Sequence, residues 1–153
     1  MKTLAHAGEK AEILRRLETV RPESPRRWGR MTAPQMVCHL ADAFLGVIGE
    51  RPVTQDQSLF RRTVMKWFAL YTPLPWPRDI PTSPEFDQAA GRGTTPADFA
   101  ADVARLRSIV ERVTSGSVPV PWTAHPYFGR LTAREWLRWS YLHMDHHLRQ
   151  FGA

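Results

Sequence analysis

Proline divides this chain into segments more sharply than any other residue. Its 13 prolines leave 1–21, 35–51, 53–72, 97–118 and 127–153 free, while five of them crowd 73–84. Inside a helix, proline removes a hydrogen bond and clashes with the preceding turn, a cost of ~3 kcal/mol or more. Long helices are therefore confined to the proline-free intervals, and 73–94 reads as a loop.

The first interval, 4–20, carries Leu4, Ile13, Leu14, Leu17 and Val20 at amphipathic-helix spacing. A linker rich in Pro and Arg follows over 21–31. The second interval opens with Thr32-Ala33-Pro34-Gln35, an N-cap, a first-turn proline and the glutamine of a capping box. Met36, Val37, Leu40, Phe44, Val47 and Ile48 then share one face, ending near Gly49. A third helix is predicted over 57–71. A fourth is predicted from Thr95, as cap, to about Val113. The last opens with the capping box Thr132 to Glu135 and runs to about Gln150, with Gly152 as the C-terminal stop. Segment 114–131 reads as irregular. Short stretches such as Val118–Trp122 could be strands, but their prolines argue against sheet pairing. The reading is an all-α helical bundle with a long proline-rich mid-chain loop, one domain over 1–153, as 153 residues suit.

Charge and cysteine usage narrow the function classes. The net charge of +6 rests on 18 Arg and 3 Lys. The arginines are scattered, with no basic run and no nucleic-acid-binding signature, so a solvated basic surface is read in preference to a nucleic-acid interface. The lone Cys38 excludes a disulfide framework and a Cys-rich zinc site, and fits a reducing cytoplasm. The amino-terminal stretch has no apolar core of a secretory signal, and VMKWFALYTPLPW is too short to span a bilayer. A soluble, cytoplasmic protein with no membrane partner is expected.

Histidine carries the chemistry. On a wheel of 100° per residue, Trp136, Leu137, Ser140, Met144, Leu148 and Phe151 form the inward face of the last helix. His143 and His147 stack on one flank of it with Gln150 beside them. His146 lies further round the rim, and Arg138, Asp145 and Arg149 point outward. In the second helix His39 falls at the edge of the buried face. The i, i+4 pair is the spacing by which one helix grips a metal ion from one side, and helical bundles build metal sites from facing helices. Two buried imidazoles satisfied by ordinary core hydrogen bonds are the alternative. Unpaired, each polar atom would cost ~1–3 kcal/mol. His6 reads as an exposed terminal residue.

The block Thr32-Ala-Pro-Gln-Met-Val-Cys-His39-Leu resembles the DinB-like (DinB/YfiT) superfamily of metalloenzymes. So does His125-Pro-Tyr-Phe-Gly-Arg-Leu-Thr, continuing through Trp136 to His143-Met-Asp-His-His147-Leu-Arg-Gln150-Phe-Gly. The second block is similar to an uncharacterised subgroup with HP-x-FG-x-L and H-x-x-HHL-x-QFG. The resemblance implies an antiparallel four-helix bundle with an unusual crossover. It further implies a divalent ion, zinc or nickel, held by His39, His143 and His147, and it suggests a homodimer. Many relatives read HHRGQ where this chain reads HHLRQ, which weakens any transfer of substrate.

Three neutral imidazoles would leave an ion its full charge and an open position, suited to activating water or a thiol. A zincin-type peptidase is not expected, because Met144 follows His143 where HEXXH has glutamate. Gln150 and His125 are the candidates for supporting or acid–base roles, with Tyr127 and Phe128 read as loop-to-core packing and Cys38 as packing. Characterised superfamily members include thiol-dependent S-transferases and a thiol-dependent isomerase. The expectation is a metal-dependent enzyme, S-transferase-like or hydrolytic, acting on a small molecule with a low-molecular-weight thiol. The alternative is a non-catalytic helical bundle that binds a metal or small ligand.

Overall fold

The computed structural model describes residues 1–80, 82–116 and 120–153. Its helices are α1 (Ala7–Thr19), α2 (Ala33–Val47), α3 (Lys66–Tyr71), α4 (Phe99–Thr114) and α5 (Ala133–Gln150). A π-helical turn, Arg61–Met65, leads into α3. The fold is predominantly helical, and α2 packs on both α4 and α5 while α1 packs on α5. No helix among the described residues is long and apolar enough to cross a membrane.

Local chemistry sets the helix starts. Thr32 accepts from the Gln35 backbone N–H at 3.3 Å, and the Gln35 side chain accepts from the Thr32 N–H at 2.9 Å. The same reciprocal box joins Thr132 and Glu135 at the head of α5. These two caps fix where the two histidine-bearing helices begin. Between them the helices bury Met36, Leu40, Phe44, Trp136, Met144 and Leu148 against Ile13 and Leu17 of α1 and Leu106 and Val110 of α4. Each such side chain contributes roughly 1.5–3 kcal/mol of burial.

The observed α4 starts later than predicted. Asp98, not Thr95, is its cap, accepting from the Ala101 N–H at 2.7 Å. The Asp98 carboxylate takes the capping bond itself, with extended backbone at that residue, so the helix begins only at Phe99. The third predicted helix, 57–71, is helical from Leu59 onward, but the π-helical turn Arg61–Met65 interrupts its α geometry before α3. Asp56 accepts from the Ser58 N–H at 2.6 Å, which holds 56–58 in a turn ahead of it. Of this α3, only Leu70 is buried.

Two further corrections concern the segments read as irregular. A two-stranded antiparallel ladder pairs β1 (Ala124–His125) with β2 (Gly129–Arg130), so the fold is not purely α. Gly129, at φ 67°, supplies the left-handed residue at the second strand. The proposed strand Val118–Trp122 lies partly outside the described residues, and Val120–Trp122 are not in a strand. The mid-chain loop is folded into two 3-10 turns, Pro84–Phe86 and Gln88–Ala90. Those turns lean on α2.

Candidate metal centre

α2 delivers His39 and α5 delivers His143 and His147 to one point. The Nε2 atom of His143 lies 3.2 Å from Nε2 of His39 and 3.2 Å from Nε2 of His147. The three ligand atoms all fall within 4.8 Å of one another. Two ligands ~2.05 Å from a tetrahedral ion stand about 3.3 Å apart, so both short edges suit a first-row cation.

Hydrogen bonds on the far side of the rings determine which nitrogens hold protons. The Trp28 carbonyl only accepts, so Gln150 turns its Nε2 toward it at 2.8 Å. The Gln150 Oε1 then faces Nδ1 of His147 at 3.0 Å, and that Nδ1 must donate. The Nε2 lone pair of His147 is left pointing inward. His39 is set by the same logic. Its Nδ1 donates to the Phe86 carbonyl at 2.8 Å, and Gln88 Oε1 lies 3.2 Å away. Gln88 is oriented because its Nε2 donates to Asp42 Oδ2 at 2.8 Å. Partners of this kind on the outer ring nitrogen are what metal-ligating histidines use to fix tautomer and orientation.

His143 stands between two lone pairs. Carrying a proton on Nε2, it could satisfy one neighbour and leave the other unpaired. A cation accepts all three lone pairs at once. Nδ1 of His143 is buried without a hydrogen-bond partner. Burial holds His39 below the ordinary imidazole range. Burial followed by the neighbouring imidazoles holds His143 and His147 well below it. All three rings are neutral, as ligands must be. The donor set fits a divalent ion.

Aromatic rings wall the site. Trp139 lies 4.5 Å from His143 between ring centroids, and Trp76 lies 6.3 Å from it. His146 is not on the rim as predicted. It is 8% exposed and sits among Trp28, Trp76 and the His147 ring. A wheel registers only the helix, whereas these tryptophans arrive from loops. Arg138 and Asp145 are likewise half-buried, not directed into open solvent: Arg138 donates to the Leu70 carbonyl at 3.2 Å, and Asp145 pairs with Arg16 of α1 at 2.7 Å. His6 is exposed, as predicted, and sits 3.0 Å from Glu9.

Of the two supporting candidates, Gln150 touches the ligand set directly through His147. His125 makes no hydrogen bond to the three histidines; its ring and that of His143 both pack on Trp139. Tyr127 and Phe128 are half-buried and line the cavity beside the site. Cys38 is buried away from that cavity, and burial pushes its thiol up to about 12.

A family model matches residues 4–153. The chain belongs to the family described as "Protein of unknown function (DUF1569)". No curated protein and no solved structure matches it. In this DUF1569 chain, sequence reasoning missed the supports contributed by Asp42, Phe86, Gln88 and Trp28. Asp42 carried a faint signal, being a carboxylate three residues after His39 on an otherwise apolar helix. It is fully buried and accepts from Gln88, from Arg51, and from the Thr94 N–H and hydroxyl at 2.7 Å each. The other three lie in loops, where no periodicity advertises them.

Proposed function

We propose that this DUF1569 chain is a divalent-metal-dependent enzyme that activates a thiol or water for attack on a small molecule. His39, His143 and His147 would hold zinc or nickel. The observation that carries this reading is the convergence of three Nε2 atoms, two of them fixed as lone-pair donors by buried partners on the opposite ring edge. When bound, such an ion supplies Lewis acidity that acidifies a water or thiol and polarises a substrate oxygen.

The chain's own residues do the rest. Phe86, Gln88 and Gln150 keep the imidazoles aimed with Nδ1 as donor, and burial keeps the rings neutral. Trp76 and Trp139 exclude water from the ring faces. Cys38 takes no part, since its thiol is protonated and faces the core. The packing of α1 on α5 and of α2 on α4 and α5 supports an antiparallel four-helix bundle of DinB-like kind, as does a ligand set drawn from α2 and α5.

The test is turnover of 1-chloro-2,4-dinitrobenzene with 2-mercaptoethanol, and of p-nitrophenyl acetate without thiol. In the first reaction a C–S bond forms and the C–Cl bond breaks, chloride leaves and the thiol proton passes to solvent. Several kcal/mol of transition-state stabilisation from the ion predicts that His143→Ala loses at least ~100-fold of the rate on one of them. Equal rates for wild type and His143→Ala, or no wild-type rate above background on either, would contradict catalysis.

A further inference from the structure

Apart from Met1, every exposed large apolar side chain among the described residues lies between Leu59 and Ile80. Surface apolar groups this concentrated mark a contact site. The helical run from Leu59 through α3 turns its cations to the protein and its apolar groups outward. Lys66 pairs with Glu135 at 2.7 Å and Arg62 donates to the Asp56 carbonyl at 2.9 Å, while Phe60 and Val64 stand 60% and 54% exposed. Phe60, Val64 and Phe68 form one wall of a cavity of about 840 Å³ that reaches His39, His143 and His147. That volume suits a drug-sized ligand. Leu59, Trp67 and Leu74 lie outside the cavity.

Charge decides what kind of molecule the cavity takes. Among the described residues its lining holds four charged side chains, those of Arg30, Arg61, Asp79 and Asp87. Neither cation is free. Arg30 pairs with Asp87 at 3.0 Å, and Arg61 pairs with Asp56 while lying 5.1 Å over the Tyr127 ring. Arg78, next to Asp79 in sequence, rests over the Trp28 ring at 5.0 Å and does not line the cavity. Asp79 alone of the four has no ion-pair partner among the described residues. An anionic group entering here gives up its hydration, finds no cation to pair with and meets a carboxylate. An uncharged apolar body meets no such penalty and gains by covering the apolar wall.

We infer that the cavity binds molecules with an uncharged, apolar body and excludes anionic ones, the body covering Phe60, Val64 and Phe68. An ion held by the histidines would draw one anionic atom to that end, but the body behind it still lies on a wall with no free cation. The substrate class that follows is an uncharged apolar electrophile, and a thiol entering the cavity carries no carboxylate there. That this molecule is the substrate rests on the function proposed above; that it binds does not.

The probe is N-phenyl-1-naphthylamine, an uncharged dye whose emission rises in an apolar site, titrated into the purified full chain. Naphthalene and naphthalene-2-sulfonate, which share a ring system and differ by one negative charge, then compete with it. The inference predicts that the dye binds and that naphthalene displaces it at a concentration at least ~10-fold below that of the sulfonate. Val64→Asp, which sets a carboxylate on the wall, is expected to weaken the dye at least ~10-fold, and Trp67→Asp to leave it within about 2-fold. Trp67 is the matched control, 62% exposed but outside the cavity. Phe60→Asp stands in if circular dichroism shows Val64→Asp unfolded. No dye binding to wild type, displacement by the sulfonate at an equal or lower concentration, or equal weakening by Val64→Asp and Trp67→Asp would overturn the inference. Dye binding without turnover contradicts the proposed function and leaves this inference standing; turnover without dye binding contradicts this inference alone.

Discussion

Gly29 lies against the side-chain amide of Gln150 so closely that a methyl group at position 29 would collide with Nε2. Its φ of 75° adds a backbone reason for glycine. This contact lets Gln150 reach the Trp28 carbonyl and so present its oxygen to His147. The same device recurs across the site, where Gly93, at φ 72°, leaves room for the amide of Gln88 behind His39.

Removing an outer-ring partner weakens the metal without removing a ligand. Gln150→Ala and Gln88→Ala are each expected to lower zinc affinity about 10–100-fold, measured by competition with a chromophoric chelator. Gly29→Ala is expected to do the same while costing about 1–3 kcal/mol of stability from strain. Wild-type affinity in all three would contradict the supporting role assigned to the amides.

Stability should fall in acid for a specific reason. His39, His125, His143, His146 and His147 are all held below the ordinary imidazole range chiefly by burial. The unfolded chain protonates near pH 6.5, so below that it binds more protons than the native state. Each such histidine then removes ~1.4 kcal/mol per pH unit, and for His125 the loss continues down to about 3. Calorimetry of the metal-free protein should show a melting temperature that is level above about pH 7 and declines steadily from 6.5 to 4. His125→Phe should shallow the decline. A flat profile would contradict the burial of these rings.

Asp42 ties the mid-chain loop to α2. Replacing it with alanine strands Arg51, Thr94 and Gln88 without their acceptor. The expected cost is about 3–5 kcal/mol, or roughly 6–20 °C in melting temperature for a chain of this size. A loss under about 2 °C would show that the carboxylate is dispensable.

Cys38 should be nearly inert. With its thiol pushed up to about 12 by burial and then by Asp102, native protein at pH 8 should react with a disulfide reagent roughly 10³-fold more slowly than the denatured chain. Cys38→Ala should retain its metal. Fast labelling, or metal loss on this substitution, would place the sulfur in the site.

The legible parts of this protein are those written in short range. Thr32 and Thr132 announce their helices because a capping box needs only four residues, and His143 with His147 announces a grip because a helix repeats every 3.6. His39 could be set on the correct face for the same reason. The partner of His39 could not: Phe86 lies 47 residues further on, brought there by two 3-10 turns that no apolar period marks. Proline spacing located the loop but gave no hint that it folds back onto α2. Burial of His146 was missed because Trp28 and Trp76 cover it from loops. His125 reads in sequence as a supporting group beside Gln150, yet its ring packs on Phe128 and Trp139 and not on the three histidines.

The central claim is that three imidazoles share one cation. Purified protein is loaded with zinc, freed of excess, and its metal counted by mass spectrometry beside His39→Ala, His143→Ala and His147→Ala, each checked for folding by circular dichroism. One ion per wild-type chain, with near-complete loss in every folded variant, is the predicted result. A wild-type chain that retains no ion, or a folded His143→Ala that retains it undiminished, would contradict the account.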